Sequence, residues 1–289
     1  MQRSLLQSNC RKSDGGSEGD AYPLGYSSAE FQRLERQGAF IRDFAEDVLW
    51  SAGIEKGMRV LDLGCDVGDL SLIAGEMVGP TGLVVGVDRS AAAVAAAERR
   101  AAQAGQCYWV RFTAAELDAF RPQETFDAII GRLILMYLPD PSATLRRLSA
   151  HLAPGGIVAF QEMVMPAARS VPEGPLYARC VRWILEALKH GGFEVDMGPK
   201  LHAAFRAAGL PAPQMVSNGR VEAGENSFAY EYMAETLRSL LPLMERAGIV
   251  SAEELGPDTL AERLRQEALA NDACLMLPPL VGAWSRKEA

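Results

Sequence analysis

Two hydrophobic patterns alternate along the middle of the chain. Short, continuously apolar runs predict buried strands, and the segments between them repeat their apolar positions at helical spacing. Strands that are apolar on both faces and separated by helices are typical of a parallel sheet covered on both sides. The pattern therefore predicts an α/β fold with a doubly wound, mostly parallel sheet over residues 56–166. The strand segments read RVLDLG, GLVVGVDRS, CYWVRFT, FDAIIGRLIL and IVAFQEMVM.

The chain before this region is first polar and then helical. Residues 1–20 are rich in Ser, Gly, Asp and Lys, which predicts a disordered tail. Between residues 27 and 51 apolar side chains recur at helical spacing, so we expect a helix there, with Gly38 as the place of any break. The helix before the fifth strand is expected to stop at Pro154-Gly155-Gly156.

Residues 167–289 follow a different pattern, in which long amphipathic helices dominate. A shorter helix is expected near residues 199–208 and a strand near 213–221, and strand character returns in CLMLPPLVGAWSRK after residue 273. This region is therefore predicted to form a helical cap inserted near the end of the sheet domain, with terminal strands that complete the sheet. Self-association through these helices would explain their apolar stripes equally well, so a homo-oligomer is a second expectation.

The first strand runs into a glycine-containing turn that has an acid in an unusual place. Gly64 and Gly68 flank Asp66, where a third glycine would be expected in a nucleotide-binding turn. The second strand ends in Asp88, and an acid at that place can accept hydrogen bonds from a ribose diol. Strand, turn, helix, strand and terminal acid together predict a nucleoside cofactor at the carboxyl ends of the strands.

Asp66 bears on which cofactor the turn accepts. A dinucleotide would place two phosphate charges beside this carboxylate, and like unit charges at ~4 Å repel by roughly 1 kcal/mol in water and by more when desolvated. S-adenosylmethionine (SAM) has no phosphate and carries a sulfonium and an ammonium, so the aspartate favours SAM. A backbone explanation stays open, because Asp is among the few residues that tolerate a positive φ.

Composition and charge exclude several other classes of function. The net charge is −8 without a Lys/Arg run, which argues against a nucleic-acid partner. We find no apolar run long enough to span a membrane and no secretory signal, and we expect a cytoplasmic protein. The five cysteines form no CxxC pair, so neither a zinc site nor a disulfide framework is expected.

Several motifs identify a family. VLDLGCDVGDLS, VVGVDRS, FDAIIGRLILMYLPDP and LAPGGIVAFQE resemble, in the expected order and across residues 58–165, the motifs of class I SAM-dependent methyltransferases. The resemblance implies a Rossmann-like fold, SAM as cofactor and S-adenosylhomocysteine as its product. The segment YPLGYSSAEFQRLERQ is similar to the lid of small-molecule members, so residues 21–55 are expected to form an N-terminal helical lid.

The resemblance also implies a cofactor site. Asp62 and Gly64 are expected near the methionine end of SAM, Asp88 at the ribose, and the Ala115 N–H with Glu116 at the adenine. The family often has an acid just before that alanine, where this chain has Ala114. The complete set of expected cofactor-binding residues is Tyr26, Arg33, Asp62, Gly64, Cys65, Asp66, Asp88, Arg89, Ala115, Glu116 and Arg132.

Three residues are candidates for catalysis. Arg132 ends the fourth strand and would bind a carboxylate of the substrate or of SAM, or make a structural contact to a neighbouring loop. Glu162 closes the fifth strand and would serve as a general base, as a contact to a polar group of the substrate, or as half of an ion pair. His190 lies at the end of a cap helix, where a cation also suits the helix dipole.

The substrate is expected to contact the lid and the cap. Tyr22 precedes the N-terminal helix, where a closing lid would place it near the ligand. The cap offers Tyr177, Trp183, Tyr230, Tyr232 and Met233, which would line an apolar pocket or pack in the core.

These residues predict methylation of a small organic molecule, in specialised metabolism, with oxygen as the first choice of acceptor atom and nitrogen and carbon left open. The fourth strand is not followed by an Asn/Asp-Pro-Pro-Tyr/Phe motif, which weakens methylation of adenine or glutamine nitrogen. The acidic ligands of catechol-type enzymes are not evident, so no metal is expected. Two alternatives remain: a SAM-binding protein without methyl transfer, and an NAD-dependent oxidoreductase.

Overall fold

A computed structural model of the protein describes residues 28–288. The predicted tail, the start of the predicted lid, Tyr22 and Tyr26 lie outside these residues. The strands, in chain order, are β1 (Arg59–Leu63), β2 (Leu83–Asp88), β3 (Val110–Ala114), β4 (Phe126–Arg132), β5 (Leu152–Met163), β6 (Arg169–Val171), β7 (Gln214–Asn218), β8 (Val221–Glu222), β9 (Cys274–Met276) and β10 (Leu280–Arg286). The α-helices are α1 (Ser28–Phe40), α2 (Arg42–Ala52), α3 (Asp69–Val78), α4 (Ala91–Gln103), α5 (Pro141–Ser149), α6 (Pro175–His190), α7 (Met197–Ala207), α8 (Ala229–Arg246), α9 (Ala252–Leu255) and α10 (Leu260–Ala270).

The main sheet has the order β3-β2-β1-β4-β5-β10-β7. The strands from β3 to β5 are parallel, and β10 runs antiparallel to both of its neighbours. The order reverses between β1 and β4, and ligands of open parallel sheets bind at such a switch point. The predicted doubly wound, mostly parallel sheet is confirmed. A second sheet of β6, β9 and β8 lies in the cap region.

Both faces of the main sheet are covered, as the continuously apolar strands require. One apolar cluster joins α2 and α3 to one face through residues such as Leu49, Ile73 and Ile130. The other cluster joins α5 and α7 to the sheet and continues into the cap helices. Between residues 28 and 288 no helix has the length and apolar character that crossing a membrane requires.

The N-terminal helix is broken near Gly38, as predicted, although α1 passes through Gly38 itself and meets α2 at Ile41. Gly38 is needed there for another reason, since a Cβ atom would overlap the carboxylate of Asp69. The predicted end of the helix before β5 is wrong in detail. Helix α5 ends at Ser149, before Pro154, because β5 already begins at Leu152 and pairs with β4.

Candidate functional site

A cavity of about 560 Å³ lies at the switch point of the sheet, a volume within the range of roughly 300–1,000 Å³ that is typical of small-molecule sites. The carboxyl ends of β1, β2 and β4 form its floor, and α1, α6 and α8 form much of its wall. We divide its lining residues into two groups by their place in the chain, the polar half up to the end of β4 and the apolar half after it. The polar half is lined by Arg33, Leu34, Gln37, Asp62, Gly64, Cys65, Asp66, Asp69, Leu70, Asp88, Arg89, Glu116, Leu117, Asp118 and Arg132. The apolar half is lined by Leu133, Ile134, Met136, Tyr137, Leu138, Pro139, Met163, Met165, Ile184, Leu188, Gly191, Phe193, Tyr232, Met233, Thr236, Leu240 and Pro278.

The turn after β1 forms one wall of the polar half. Its backbone has positive φ at three positions, 64° at Gly64, 47° at Asp66 and 87° at Gly68. The N–H groups of Gly64 and Cys65 donate to the carbonyl of Val87, which ties the turn to β2. The backbone explanation for Asp66 is therefore correct, since few residues other than glycine adopt this conformation at modest cost. Its side chain also lines the cavity.

Three carboxyl groups of the polar half lie in a poorly solvated environment. Burial raises the pKa of Asp62 to about 7, against a hydrogen bond of 2.5 Å from Ser71 Oγ that stabilises its charged form. Burial, reinforced by the charge of Asp88, raises the pKa of Asp66 well above its usual range. Burial also raises the pKa of Asp88, although this carboxylate accepts hydrogen bonds from the backbone N–H groups of Asp66 and Ser90 at 3.0 and 2.8 Å. Such a group of acids is suited to a cationic ligand.

Arg132 places a positive charge at the end of β4. Its side chain is only 9% exposed, and its Nη2 lies 3.9 Å from Asp69 Oδ2. Burial lowers the pKa of its guanidinium, and the charges of Asp69 and Asp62 oppose this effect. Arg132 Nη1 and Asp66 Oδ1 are both buried without a hydrogen-bond partner among the described residues. Buried polar atoms are nearly always hydrogen-bonded, so this donor and acceptor are suited to a ligand that carries both an acceptor and a donor.

Helix α1 contributes Arg33, Leu34 and Gln37 to the wall of the polar half. Arg33 is 4% exposed and donates to both carboxylate oxygens of Glu30, at 2.9 and 2.6 Å. Ser239 of α8 donates to the same carboxylate at 2.5 Å, and Arg36 forms an ion pair with Glu235 of α8. These contacts join the N-terminal helix to the cap above the cavity.

The apolar half has a different chemistry. The only polar side-chain groups among its described residues are the hydroxyls of Tyr137, Tyr232 and Thr236. The Thr236 hydroxyl donates to the Tyr232 carbonyl at 2.8 Å. Burial raises the pKa of both tyrosines, so both hydroxyls are protonated at neutral pH and able to donate hydrogen bonds. Among residues 28–288, the apolar half therefore offers shape and hydroxyl groups but no carboxylate or imidazole.

Glu162 lies behind the wall of the apolar half. Its side chain is fully buried, and its Oε1 accepts hydrogen bonds from the backbone N–H groups of Ile134 and Leu135 at 3.0 and 2.6 Å. Burial raises the pKa of Glu162 to about 8, while these hydrogen bonds act in the opposite direction. Glu162 is the next-to-last residue of β5, as the sequence predicts, and its backbone is paired there with Val281 of β10.

The structure brings eleven of the proposed site residues together around the cavity. They are Arg33, Asp62, Gly64, Cys65, Asp66, Asp88, Arg89, Glu116, Arg132, Tyr232 and Met233. Tyr22 and Tyr26 lie outside the described residues, and the roles proposed for all of these remain predictions.

Six other proposed residues do not belong to the cavity wall, and each has a physical reason. The Ala115 N–H donates to the Asp88 carbonyl at 2.8 Å, Glu162 holds the backbone after β4, and His190 is exposed at the end of α6. Tyr177 and Tyr230 are buried in the cap, where their hydroxyls donate to the carbonyls of Met276 and Gly224. Trp183 is likewise buried in the core cluster.

Three of the lining residues that sequence reasoning missed are polar or aromatic. Asp69 opens α3 and pairs with Arg100 at 2.6 Å, and acids in the first turn of a helix are too common to indicate a site. Tyr137 stands within the motif after β4, and Phe193 follows the Gly191-Gly192 pair. The sequence signal for Tyr137 is its place shortly after the end of β4, since ligands bind at the carboxyl ends of such strands. Among residues 28–288 no group of three or more His, Cys, Asp or Glu side chains is arranged to hold a metal ion.

A parallel sheet of this order, with a glycine turn after β1 and an acid at the end of β2, is typical of the Rossmann-like class of SAM-dependent methyltransferases. Residues 54–207, just over half of the chain, match the family model described as a methyltransferase domain. The chain therefore belongs to this family. The match favours SAM over NAD as the cofactor of the acidic turn.

Individual relatives agree with this assignment. The chain is 36% identical over 130 residues to trans-aconitate 2-methyltransferase of Variovorax paradoxus, covering 44% of this chain and 46% of that protein. It is 39% identical over 122 residues to 2-phytyl-1,4-naphtoquinone methyltransferase of Synechococcus elongatus, covering 41% and 51%. The chain thus spans about half the length of these curated relatives. The crystal structure of YcgJ from Bacillus subtilis shares the fold, with a TM-score of 0.57 and 17% identity over 86% of this chain and 99% of that one.

Proposed function

We propose that the protein transfers a methyl group from SAM to an oxygen atom of a small, largely apolar molecule. The observation that carries this proposal is the contrast within the cavity, where every carboxylate and guanidinium lines the polar half and the apolar half has only hydroxyls as polar side-chain groups. The polar half suits the cofactor, and the apolar half suits the acceptor.

In the polar half, the residues fit SAM through complementary charges. The unpaired Arg132 Nη1 would bind the carboxylate of its amino-acid end, and Asp66 with Asp62 would balance its positive charges. Asp88 would accept hydrogen bonds from the ribose, and Glu116 and Leu117 would lie along the adenine. When bound, SAM supplies a methyl group on a sulfonium centre, and the walls of the cavity exclude water from it.

In the apolar half, the lack of a base restricts the acceptor. A neutral carbon or a protonated amine would have to lose a proton, and no His, Asp or Glu among the described residues of this half could accept it. A carboxylate, or an acidic phenol or enol, is already an anion at neutral pH. The hydroxyl of Tyr137 or Tyr232 would orient that oxygen by donating a hydrogen bond, which contributes alignment rather than proton removal.

The relatives support a small-molecule acceptor but differ in its character. One is named for trans-aconitate, a small tricarboxylic acid, and another for a naphthoquinone with a phytyl chain. The apolar half favours a ring-containing acceptor over a small polyanion, because several carboxylates could not be solvated there. Such an acceptor is compatible with specialised metabolism. The predicted self-association through the cap stays a prediction.

A panel of acceptors tests the proposal. Purified protein with SAM would be incubated with 2-hydroxy-1,4-naphthoquinone, an aromatic carboxylic acid, an aromatic amine and trans-aconitate, and S-adenosylhomocysteine and methylated product would be measured by mass spectrometry. We expect an O-methyl product from one of the first two. A product methylated at nitrogen or carbon would overturn the choice of oxygen, and SAM binding without any turnover would favour a binding protein.

A further inference from the structure

The segment after β4, residues 133–138, forms one wall of the apolar half, and we call it the β4 loop. Five of its residues line the cavity: Leu133, Ile134, Met136, Tyr137 and Leu138. Leu133 has a φ of 54°, a conformation that a bulky residue adopts only when its surroundings impose it. The loop therefore needs anchors outside its own local preferences.

Those anchors come from elements that are distant in sequence. The Leu133 N–H donates to the carbonyl of Gln161 at 2.9 Å, and the Met136 carbonyl accepts from the Glu194 N–H at 3.0 Å. Between them a single side-chain oxygen, Glu162 Oε1, accepts from two consecutive backbone N–H groups of the loop. These two hydrogen bonds hold consecutive backbone N–H groups on one buried oxygen, so the Glu162 side chain anchors the loop.

The β4 loop also touches the cofactor turn. A Cβ atom on Gly64 would lie 2.5 Å from Ile134 Cδ1, so the Ile134 side chain packs directly against the turn. The N–H of this same residue is held by Glu162. Fixing the loop therefore fixes the apolar wall relative to the turn on which the cofactor would lie.

We propose that Glu162 is a positioning residue, which holds the β4 loop so that the acceptor and the cofactor meet in line. This inference rests on the proposed function, because it assigns the apolar half to the acceptor. Glu162 acts through the backbone of the loop and touches neither ligand. It belongs to β5, its backbone is paired with β10, and it is not part of the cavity wall.

A general-base role makes the opposite prediction, and the glutamine variant separates the two. The amide oxygen of Glu162→Gln can still accept both N–H groups, but the amide cannot take up a proton. Glu162→Ala removes the anchor altogether. The matched control is Glu267→Ala, because Glu267 accepts from the backbone N–H groups of Leu176 and Tyr177 at 2.7 and 3.0 Å, away from the cavity.

The experiment compares the three variants of the full chain by hydrogen exchange, by S-adenosylhomocysteine affinity and by kinetics with the best acceptor of the panel. We expect Glu162→Ala to speed exchange over residues 133–138 and to lower kcat/KM by about 100-fold, as misplacement of about 1 Å does. Glu162→Gln should keep slow exchange in the loop and at least a third of the activity. Glu267→Ala should speed exchange only near residues 175–180 and keep its kinetics.

Two results would overturn the proposal. If Glu162→Ala left exchange in the β4 loop unchanged, Glu162 would not be its anchor. If Glu162→Gln kept slow exchange but lost as much kcat as Glu162→Ala, the residue would be a base. Failure of the proposed function gives a different result, because the native protein would then show no turnover with any acceptor. The hydrogen-exchange measurement would still decide whether Glu162 holds the β4 loop.

Discussion

The polar and apolar halves of the cavity are built in opposite ways. The polar half comes mostly from strand ends and turns of the sheet that lie close together in sequence, and its side chains are held by directed hydrogen bonds and ion pairs. The apolar half is assembled from the β4 loop, α6, α8 and Pro278, and it relies on packing. The half that would receive an invariant cofactor is chemically specified, and the half that would receive the variable substrate is specified by shape.

Among substitutions that distinguish the two halves, we expect Asp88→Ala in the polar half to have the largest effect, and this effect is on SAM affinity. The carboxylate would bind the ribose, and it also accepts N–H groups of Asp66 and Ser90, so its loss disturbs the turn as well. We expect the affinity for SAM to fall by about 100-fold, equivalent to about 2.7 kcal/mol. Calorimetry with SAM and S-adenosylhomocysteine measures this loss. Unchanged affinity would remove Asp88 from the site.

A substitution in the apolar half should have a smaller effect on a different quantity. Tyr137→Phe removes one hydroxyl and keeps the ring that packs on Phe193. We expect kcat/KM for the acceptor to fall by about tenfold, the value of roughly one hydrogen bond. Affinity for S-adenosylhomocysteine should stay the same. A variant that lost cofactor affinity instead would show that the two halves are not separate.

The pH dependence of SAM binding tests the polar half alone. Because the pKa of Asp62 is raised to about 7, the carboxyl is protonated below that pH, and binding a cation must then release the proton. Affinity should therefore fall as the pH falls, by about tenfold between pH 8 and pH 6 for a one-proton linkage. Titration calorimetry in two buffers measures both affinity and proton release. Asp62→Asn is the control and should bind more weakly with a flatter pH profile; an affinity that rises at low pH contradicts the assignment.

The smallest effect is expected from Asp66→Gly. Glycine adopts the φ of 47° without strain, which offsets part of the loss of a carboxylate in the polar half. We expect the affinity for SAM to change by about threefold. Asp66→Ala, which removes the carboxylate but keeps a Cβ at this φ, should be less stable to heat than Asp66→Gly. A loss larger than that of Asp88→Ala would reverse the roles of the two acids.

The sheet and the polar half were predictable because their signals are local. A buried parallel strand is apolar in every position, and the turn and the acid after β2 follow such strands directly. Asp62, Asp66 and Asp88 could thus be placed near one another before any coordinates were known. Whether each of them binds the cofactor stays a prediction.

The apolar half was harder to predict because core and cavity have the same composition. Tyr230 and Met233 lie on one face of α8, yet the tyrosine is buried with its hydroxyl on a backbone carbonyl and the methionine lines the cavity. Glu162 lies at the end of β5 as expected, but its side chain is buried against the backbone of Ile134 and Leu135, about thirty residues earlier in the chain, and does not line the cavity. Periodicity within a helix or strand cannot report a partner that is so distant in sequence.

The position of β10 has a consequence for how the chain is synthesised. The strand from Leu280 to Arg286 lies between β5 and β7, so neither β5 nor β7 has this neighbour in the main sheet until that strand is made. On a ribosome, which releases the N-terminal part first, the Rossmann-like half can collapse early but keeps the outer edge of β5 open until residue 286 has emerged. The nascent protein would therefore expose the unpaired edge of β5 while residues 164–286 are synthesised, and such an edge can pair with a strand of another chain.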